Sequence, residues 1–207
     1  MARKKLSLGG DISKSVKGTF SLDKFKAAKG LGNTNNTFKD QTWIPLSPAW
    51  QKMVSLPGIP QGHITLLRGH SDTGKTTALL EVAVNAQKMG ILPVFIITEM
   101  KWSWEHAQMM GLDVSIEKDE DGTVQGVDGP FIFADRGQLP TVEAVAGFMA
   151  DLMSEQKKGN LPMDMVFLWD SIGSVPCQMS VEKAKNNNEW NAGAMSTQFG
   201  NFINQEI

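Results

Sequence analysis

The residues best suited to chemistry lie in the stretch LLRGHSDTGKTTALLEVA, residues 66–83. Within it, Gly69, Gly74, Lys75 and Thr76 match the pattern G-x-x-x-x-G-K-[ST], which is typical of loops that bind phosphate. Glycines allow backbone angles that point successive N–H groups at one anion, and the following helix adds the positive end of its dipole. The pattern predicts that Lys75 contacts the outer phosphates of ATP and that the Thr76 hydroxyl binds Mg²⁺.

The whole loop and the start of its helix are predicted to contact the nucleotide: Gly69, His70, Ser71, Asp72, Thr73, Gly74, Lys75, Thr76 and Thr77. The alternative is a tight strand-to-helix turn that leaves an exposed lysine. Because the full pattern stands between a predicted strand and a predicted helix, the sequence favours the phosphate-binding interpretation.

Two carboxylates follow short apolar runs further along the chain. MDMVFLWDS reaches Asp170 after five apolar residues, and PVFIITE ends at Glu99. Parallel sheets bind ligands at the carboxyl ends of their strands. We therefore expect Asp170 to hold the magnesium. The alternative is a helix N-cap or turn aspartate, because Ser171 and Gly173 follow. Glu99 is expected near the γ-phosphate, where it would polarise the attacking water.

Short apolar runs alternate with helical patterns around these residues. The predicted strands cover residues 63–68, 93–98, 131–135 and 164–170, and the predicted helices cover residues 75–89, 103–110, 141–156 and 192–205. A polar stretch, EKDEDGTVQG, interrupts the series. Alternation of this kind predicts an α/β fold with a largely parallel β-sheet flanked by helices.

The composition limits the remaining classes of protein. The chain has 207 residues, a net charge of −2 and one cysteine, Cys177, which excludes an intrachain disulfide framework and favours a reducing compartment. No run of 18 or more apolar residues and no signal-peptide pattern is present, so we expect a cytoplasmic protein with no membrane partner.

Residues 1–42 differ from the rest and are predicted to be a basic arm and linker before a core at residues 43–207. The first 30 residues hold eight basic and two acidic side chains, a net charge of +6 that leaves −8 for the remainder. Such an arm could contact the phosphate backbone of a nucleic acid or an acidic neighbouring subunit. The alternative is a solvated tail that contacts neither. SLDKFKAAKG predicts a short helix that begins at Ser21 and ends at Gly30.

Three segments together resemble the ATPase core of RecA-type recombinases, including the phage UvsX-like branch: PGIPQGHITLLRGHSDTGKTT, FIITEMKWSWEHAQMMGLD and VFLWDSIGSVP. The resemblance implies a P-loop NTPase fold of RecA type in a bacterial cell or a phage-infected host. It implies Lys75 and Thr76 at the phosphates and magnesium, Glu99 as the general base, and Asp170 near the metal. The MGLD turn at residues 110–113 follows Glu99 at the spacing seen in the family.

The resemblance also implies an aromatic side chain that stacks on adenine. Direct spacing from Glu99 assigns this role to His106. An imidazole ring covers less of the base than a tyrosine ring would, so Trp102 and Trp104 are the alternatives.

The first DNA-binding loop of the family corresponds here to PCQMSVEKAKNNNEWNAG, residues 176–193. By this resemblance Lys183 and Lys185 would contact phosphates of single-stranded DNA, and Trp190 would stack on a base. The alternative is an asparagine-rich loop that makes no contact with DNA. In the family a strand with a glutamine sensor and a second DNA loop follow, and here the chain ends at FGNFINQEI. We therefore expect either a fragment or a second polypeptide that completes the core.

The resemblance predicts an ATP-dependent recombinase that binds single-stranded DNA as a nucleotide-gated filament and hydrolyses ATP, with the arm as a subunit-docking element. A hexameric helicase of the DnaB type is one alternative, because such motors also carry a glutamate–methionine pair, as in ITEM. The MGLD turn and DSIGS argue against it. The other alternative is a nucleotide-gated assembly protein, filament or ring, with little ATPase activity.

Overall fold

The computed structural model describes residues 21–30, 41–99, 101–178 and 181, and it divides into two units, residues 1–41 and residues 42–207. In the first unit the described element is helix α1 (Leu22–Ala28). The Ser21 hydroxyl accepts a hydrogen bond from the Lys24 backbone N–H at 3.4 Å, and Gly30 follows the helix with φ +64°. The predicted helix and its two ends are confirmed, because a serine N-cap and a left-handed glycine are local signals.

The second unit alternates strands and helices. In chain order it contains β1 (Trp43–Pro45), α2 (Pro48–Val54), β2 (Gly58–Pro60), α3 (Lys75–Lys88), β3 (Leu92–Ile97), α4 (Trp104–Met109), β4 (Ser115–Lys118), β5 (Val124–Asp128), β6 (Ile132–Asp135), α5 (Val142–Lys157) and β7 (Met165–Asp170), followed by a 3-10 turn at Ile172–Ser174.

A parallel three-stranded sheet lies at the centre of this unit, in the order β6–β3–β7. Ile97 pairs with Asp135 on one side and with Asp170 on the other, so the three strands end at the same edge. The strands β1–β2 and β4–β5 form separate antiparallel pairs. The predicted α/β fold with a parallel sheet flanked by helices is confirmed.

Strand β3 is buried on both faces, as the continuous apolar run of a central parallel strand requires. Phe95 packs in a core cluster with Leu80 of α3, whereas the next residue, Ile96, packs in a second cluster with Val145 of α5. Successive side chains of a strand point to opposite faces. The sheet therefore lies between α3 and α5, and both helices pack against the strands whose carboxyl ends form its edge.

One predicted strand is wrong. HITLLR belongs to none of the three sheets, and Ile64 and Leu66 are 53% and 72% exposed. A short apolar run predicts a strand from its side chains alone, but a strand also needs a neighbour that accepts its backbone hydrogen bonds. No strand in the described part of the chain provides those bonds to this segment.

The polar stretch EKDEDGTVQG contributes to a hairpin, β4–β5, that its composition does not predict. At the turn the Asp119 carboxylate accepts hydrogen bonds from the backbone N–H groups of Thr123 and Asp121 at 2.8 and 3.1 Å, and from the Gln125 amide at 2.7 Å. These bonds lower the pKa of Asp119, and the bond from the Thr123 backbone contributes most.

Among the described residues, no helix combines the length and the apolar character that crossing a membrane requires.

Candidate nucleotide-binding site

The loop at residues 69–76, which we call the 69–76 loop, runs into the first turn of α3. Gly74 precedes the helix with φ +86°, a backbone conformation that favours glycine. At Gly69 an added Cβ would lie 2.7 Å from the Thr73 hydroxyl oxygen, which itself donates to the His70 carbonyl at 2.8 Å. The local structure therefore favours glycine at both positions of the pattern: Gly74 because of its positive φ, and Gly69 because Thr73 leaves no room for a Cβ.

The side chain of Lys75 folds back across this loop. Its Nζ donates to the His70 carbonyl at 2.7 Å and to the Gly69 carbonyl at 3.1 Å. The ammonium group is thereby held beside the N-terminus of a 14-residue helix, where the helix dipole is also positive. This combination of a cation and helical N–H groups attracts phosphate oxygens.

A hydroxyl and a carboxylate meet where α3 begins and β7 ends. Thr76 Oγ1 donates to Asp170 Oδ2 at 2.6 Å, and Asp170 is only 8% exposed. Both are hard oxygen donors, the kind that Mg²⁺ prefers, so they fit a magnesium site. In the described ranges no group of three or more His, Cys, Asp or Glu side chains could hold a metal ion by itself. Mg²⁺ commonly uses one or two carboxylates together with substrate phosphates, so the Asp170 carboxylate fits its usual donors.

Glu99 lies beside Asp170 because the strand pairing continues one step past β3. The backbone N–H groups of Thr98 and Glu99 donate to the Asp170 carbonyl at 2.8 and 3.1 Å. The exposed Glu99 carboxylate accepts a hydrogen bond from the Ser171 hydroxyl, with 2.6 Å between Ser171 Oγ and Glu99 Oε1. The two predicted carboxylates are therefore neighbours at one sheet edge.

Sequence reasoning missed Ser171, whose hydroxyl contacts the Glu99 carboxylate. It also missed Thr98 and Ser174, which both contact the Ser171 carbonyl. The only signal in the sequence was their position next to the two predicted carboxylates. A serine or threonine beside a strand end is too common to indicate which oxygen it will contact.

The remaining predicted nucleotide contacts differ in their exposure to solvent. Ser71, Asp72 and Thr77 are exposed. His106 is half-buried on α4, and its backbone N–H donates to the Ser103 hydroxyl at 3.1 Å. The predicted DNA contacts and the predicted last helix lie outside the described residues: Lys183, Lys185, Trp190 and residues 192–205.

The alternative stacking residues, Trp102 and Trp104, belong to a half-buried aromatic cluster that packs against the core. The Trp104 ring stacks on Phe131, with ring centroids 5.2 Å apart and planes 26° apart, and the Trp102 ring lies 5.1 Å from Phe95. Phe133 contacts both tryptophans. These rings pack against the chain's own aromatic side chains, and the adenine contact assigned to His106 stays a prediction.

Comparison with known proteins gives partial matches. No protein-family profile matches the chain. It is 37% identical over 68 residues to Protein RecA of Symbiobacterium thermophilum, which covers 33% of this chain and 19% of that protein. It is 44% identical over 57 residues to Protein RecA of Aquifex aeolicus, covering 28% and 16% of the two chains.

A longer and weaker match extends to Protein RecA of Rhizobium rhizogenes, with 28% identity over 108 residues, 50% of this chain and 30% of that protein. The matched segments thus span less than a third of the length of these relatives. Within those limits, the similarities to several RecA proteins support a RecA-like family for this α/β chain.

Proposed function

We propose that this protein is a cytoplasmic, ATP-dependent DNA recombinase or repair protein of RecA type. It binds single-stranded DNA as a nucleotide-gated filament and hydrolyses ATP. The observation that carries the proposal is the 2.6 Å contact between Thr76 Oγ1 and Asp170 Oδ2. It joins two residues 94 positions apart, one in the predicted phosphate loop and the other at the end of a buried strand. The partial similarity to RecA proteins supports recombination rather than another use of the same site.

In this proposal each group at the sheet edge has one task. The N–H groups of the 69–76 loop and the Lys75 ammonium bind the outer phosphates, while Thr76 and Asp170 hold the metal ion. When bound, Mg²⁺ neutralises charge on the β- and γ-phosphate oxygens. Glu99 accepts a proton from the attacking water as general base.

ATP gates DNA binding through linkage between two equilibria. If ATP binds one arrangement of neighbouring subunits better than the other, it stabilises the arrangement that grips DNA. Hydrolysis then releases the DNA. The basic arm within residues 1–42 is the proposed docking element between subunits, and its charge suits an acidic neighbour such as the remainder of this chain, which carries −8.

The experiment that tests the proposal measures ATP hydrolysis with and without single-stranded DNA, and nucleotide binding on the same sample. We expect ATP binding in both conditions and a severalfold stimulation of turnover by DNA. ATP binding with identical turnover in the two conditions would contradict the proposal.

Electron microscopy of the same samples separates the alternatives. An open helical filament on single-stranded DNA supports the recombinase. A closed ring would favour a hexameric helicase motor instead, and assembly that ignores DNA would favour a nucleotide-gated assembly protein.

Alanine substitution tests the proposed DNA contacts. We expect Trp190→Ala to weaken binding of single-stranded DNA by about 1–3 kcal/mol through the loss of one stacked base. Lys183→Ala and Lys185→Ala should each reduce the salt dependence, so that the slope of log K against log salt falls by about 0.7. Nucleotide binding should not change. Lys157→Ala, on the exposed end of α5, is the matched control. Unchanged DNA affinity in all three variants would reduce this loop to a connector.

A further inference from the structure

A partly buried hydroxyl network next to Glu99 joins the ends of β3 and β7. At its centre the fully buried Thr98 donates from Oγ1 to the Ser171 carbonyl at 2.9 Å and accepts from Trp169 Nε1 at 3.0 Å. Ser174 Oγ lies 2.5 Å from Thr98 Oγ1 and 2.6 Å from the Ser171 carbonyl oxygen, and its single proton can be donated to either acceptor. The backbone of Ser171 is therefore held from inside the protein.

The side chain of Ser171 faces the other way, towards the predicted general base. The 2.6 Å distance between Ser171 Oγ and Glu99 Oε1 is within the range of a hydroxyl that donates to a carboxylate, which is among the stronger hydrogen bonds in proteins. Because Thr98 holds the Ser171 carbonyl, the hydroxyl that reaches Glu99 starts from a fixed backbone.

Glu99 itself is exposed, and an exposed glutamate samples several rotamers unless something holds it. Among the described residues no hydrogen-bond donor occupies its second carboxylate oxygen, Oε2. The contact with Ser171 thus fixes one oxygen and leaves the other to accept a proton. Orientation of this kind matters for rate because a misplaced catalytic group loses much of its advantage.

We propose that Ser171 is a positioning residue, which holds the Glu99 carboxylate in the orientation that activates water. This inference rests on the proposed ATPase function. The role of Ser171 is to orient Glu99, not to contact the reacting atoms. It acts through Glu99, and Thr98 in turn acts through Ser171. Loss of the Ser171 hydroxyl should therefore slow the chemical step and leave ATP affinity as it was.

The test compares three variants of the full chain. We expect Ser171→Ala to lower kcat for ATP hydrolysis roughly tenfold or more, with KM and the Kd for ATP unchanged. Ser171→Thr should recover most of the rate, because threonine keeps the hydroxyl. The backbone at this position is extended, with φ −134° and ψ 155°, and threonine adopts that conformation readily. Ser115→Ala is the control, since Ser115 is an exposed serine at the start of β4, in the separate hairpin sheet.

A double-mutant cycle distinguishes positioning from a general structural role. If Ser171 acts through Glu99, Ser171→Ala should cause no further loss of turnover in a Glu99→Gln background. If Ser171→Ala lowers turnover by the same factor in the wild-type and Glu99→Gln backgrounds, the inference is wrong. It is also wrong if Ser171→Ala turns over ATP at the wild-type rate or faster. Either result would leave the proposed ATPase function intact. If the wild-type chain binds ATP and does not hydrolyse it, the ATPase function fails and this inference fails with it.

Discussion

Replacing Glu99 by glutamine is expected to lower the rate of ATP hydrolysis about 10²- to 10⁴-fold, the usual contribution of a general base, without weakening ATP binding. The amide has nearly the same shape as the carboxylate and its oxygen can still accept the Ser171 hydroxyl, but it cannot take a proton from water. Single-turnover hydrolysis and equilibrium binding of ATP, measured on the same preparation, separate the two effects.

The hairpin supplies a control for this substitution. Glu120 is exposed between β4 and β5, so Glu120→Gln removes the same charge away from the sheet edge and should retain the wild-type rate. Hydrolysis by Glu99→Gln at the normal rate would show that another group activates the water.

Replacing Lys75 by alanine is expected to raise the Kd for ATP roughly 10- to 150-fold, which corresponds to losing about 1.5–3 kcal/mol of hydrogen bonding to a charged partner. The substitution removes the ammonium that the His70 and Gly69 carbonyls hold across the 69–76 loop. Titration calorimetry with a slowly hydrolysed ATP analogue measures the change directly.

Lys88→Ala is the matched control for Lys75→Ala. Lys75 is the first residue of α3 and Lys88 is the last, so both variants remove one lysine from the same helix at opposite ends. Only the first should affect nucleotide affinity. The thermal unfolding midpoint of each variant checks that the fold is retained. Wild-type affinity in a folded Lys75→Ala protein would contradict the phosphate-binding assignment of this loop.

The two substitutions test different steps of the same proposed reaction. Loss of Lys75 is expected to act on the ground state, because the proposal has Lys75 bind phosphate before any bond breaks. Loss of Glu99 is expected to act on the transition state. A protein that binds nucleotide only to control assembly would show the effect of Lys75→Ala on affinity and have no turnover for Glu99→Gln to lower. The pair of results therefore separates an ATPase from a nucleotide-gated assembly protein.

Local patterns in the sequence were enough to predict most elements around the site. Helix α3 follows from Gly74 and an apolar stripe, and β3 and β7 follow from short buried runs that end in a carboxylate. These patterns can be recognised without knowledge of the fold, because backbone angles and side-chain periodicity depend on residues that are close in sequence. The positions of Lys75, Glu99 and Asp170 at the ends of such elements could be predicted for the same reason.

Local patterns failed wherever a segment depends on a distant partner. HITLLR has the composition of a buried strand and lies outside every sheet formed by the described residues, while the polar stretch around Asp119 contributes to a hairpin. Trp102 and Trp104 looked available to a ligand and instead pack with Phe131 and Phe133. Strand pairing and side-chain packing depend on surfaces formed by distant parts of the chain. A short window of sequence holds no information about those surfaces.

The sequence by itself determined which side chains are candidates for binding phosphate and where along the chain they lie. Only the tertiary structure decided which of them touch: Thr76 with Asp170 across 94 positions, and Ser171 with Glu99 across 72. The physical reason is the parallel pairing of β3 with β7, because strands in register bring their carboxyl ends, and whatever residues follow, to one edge.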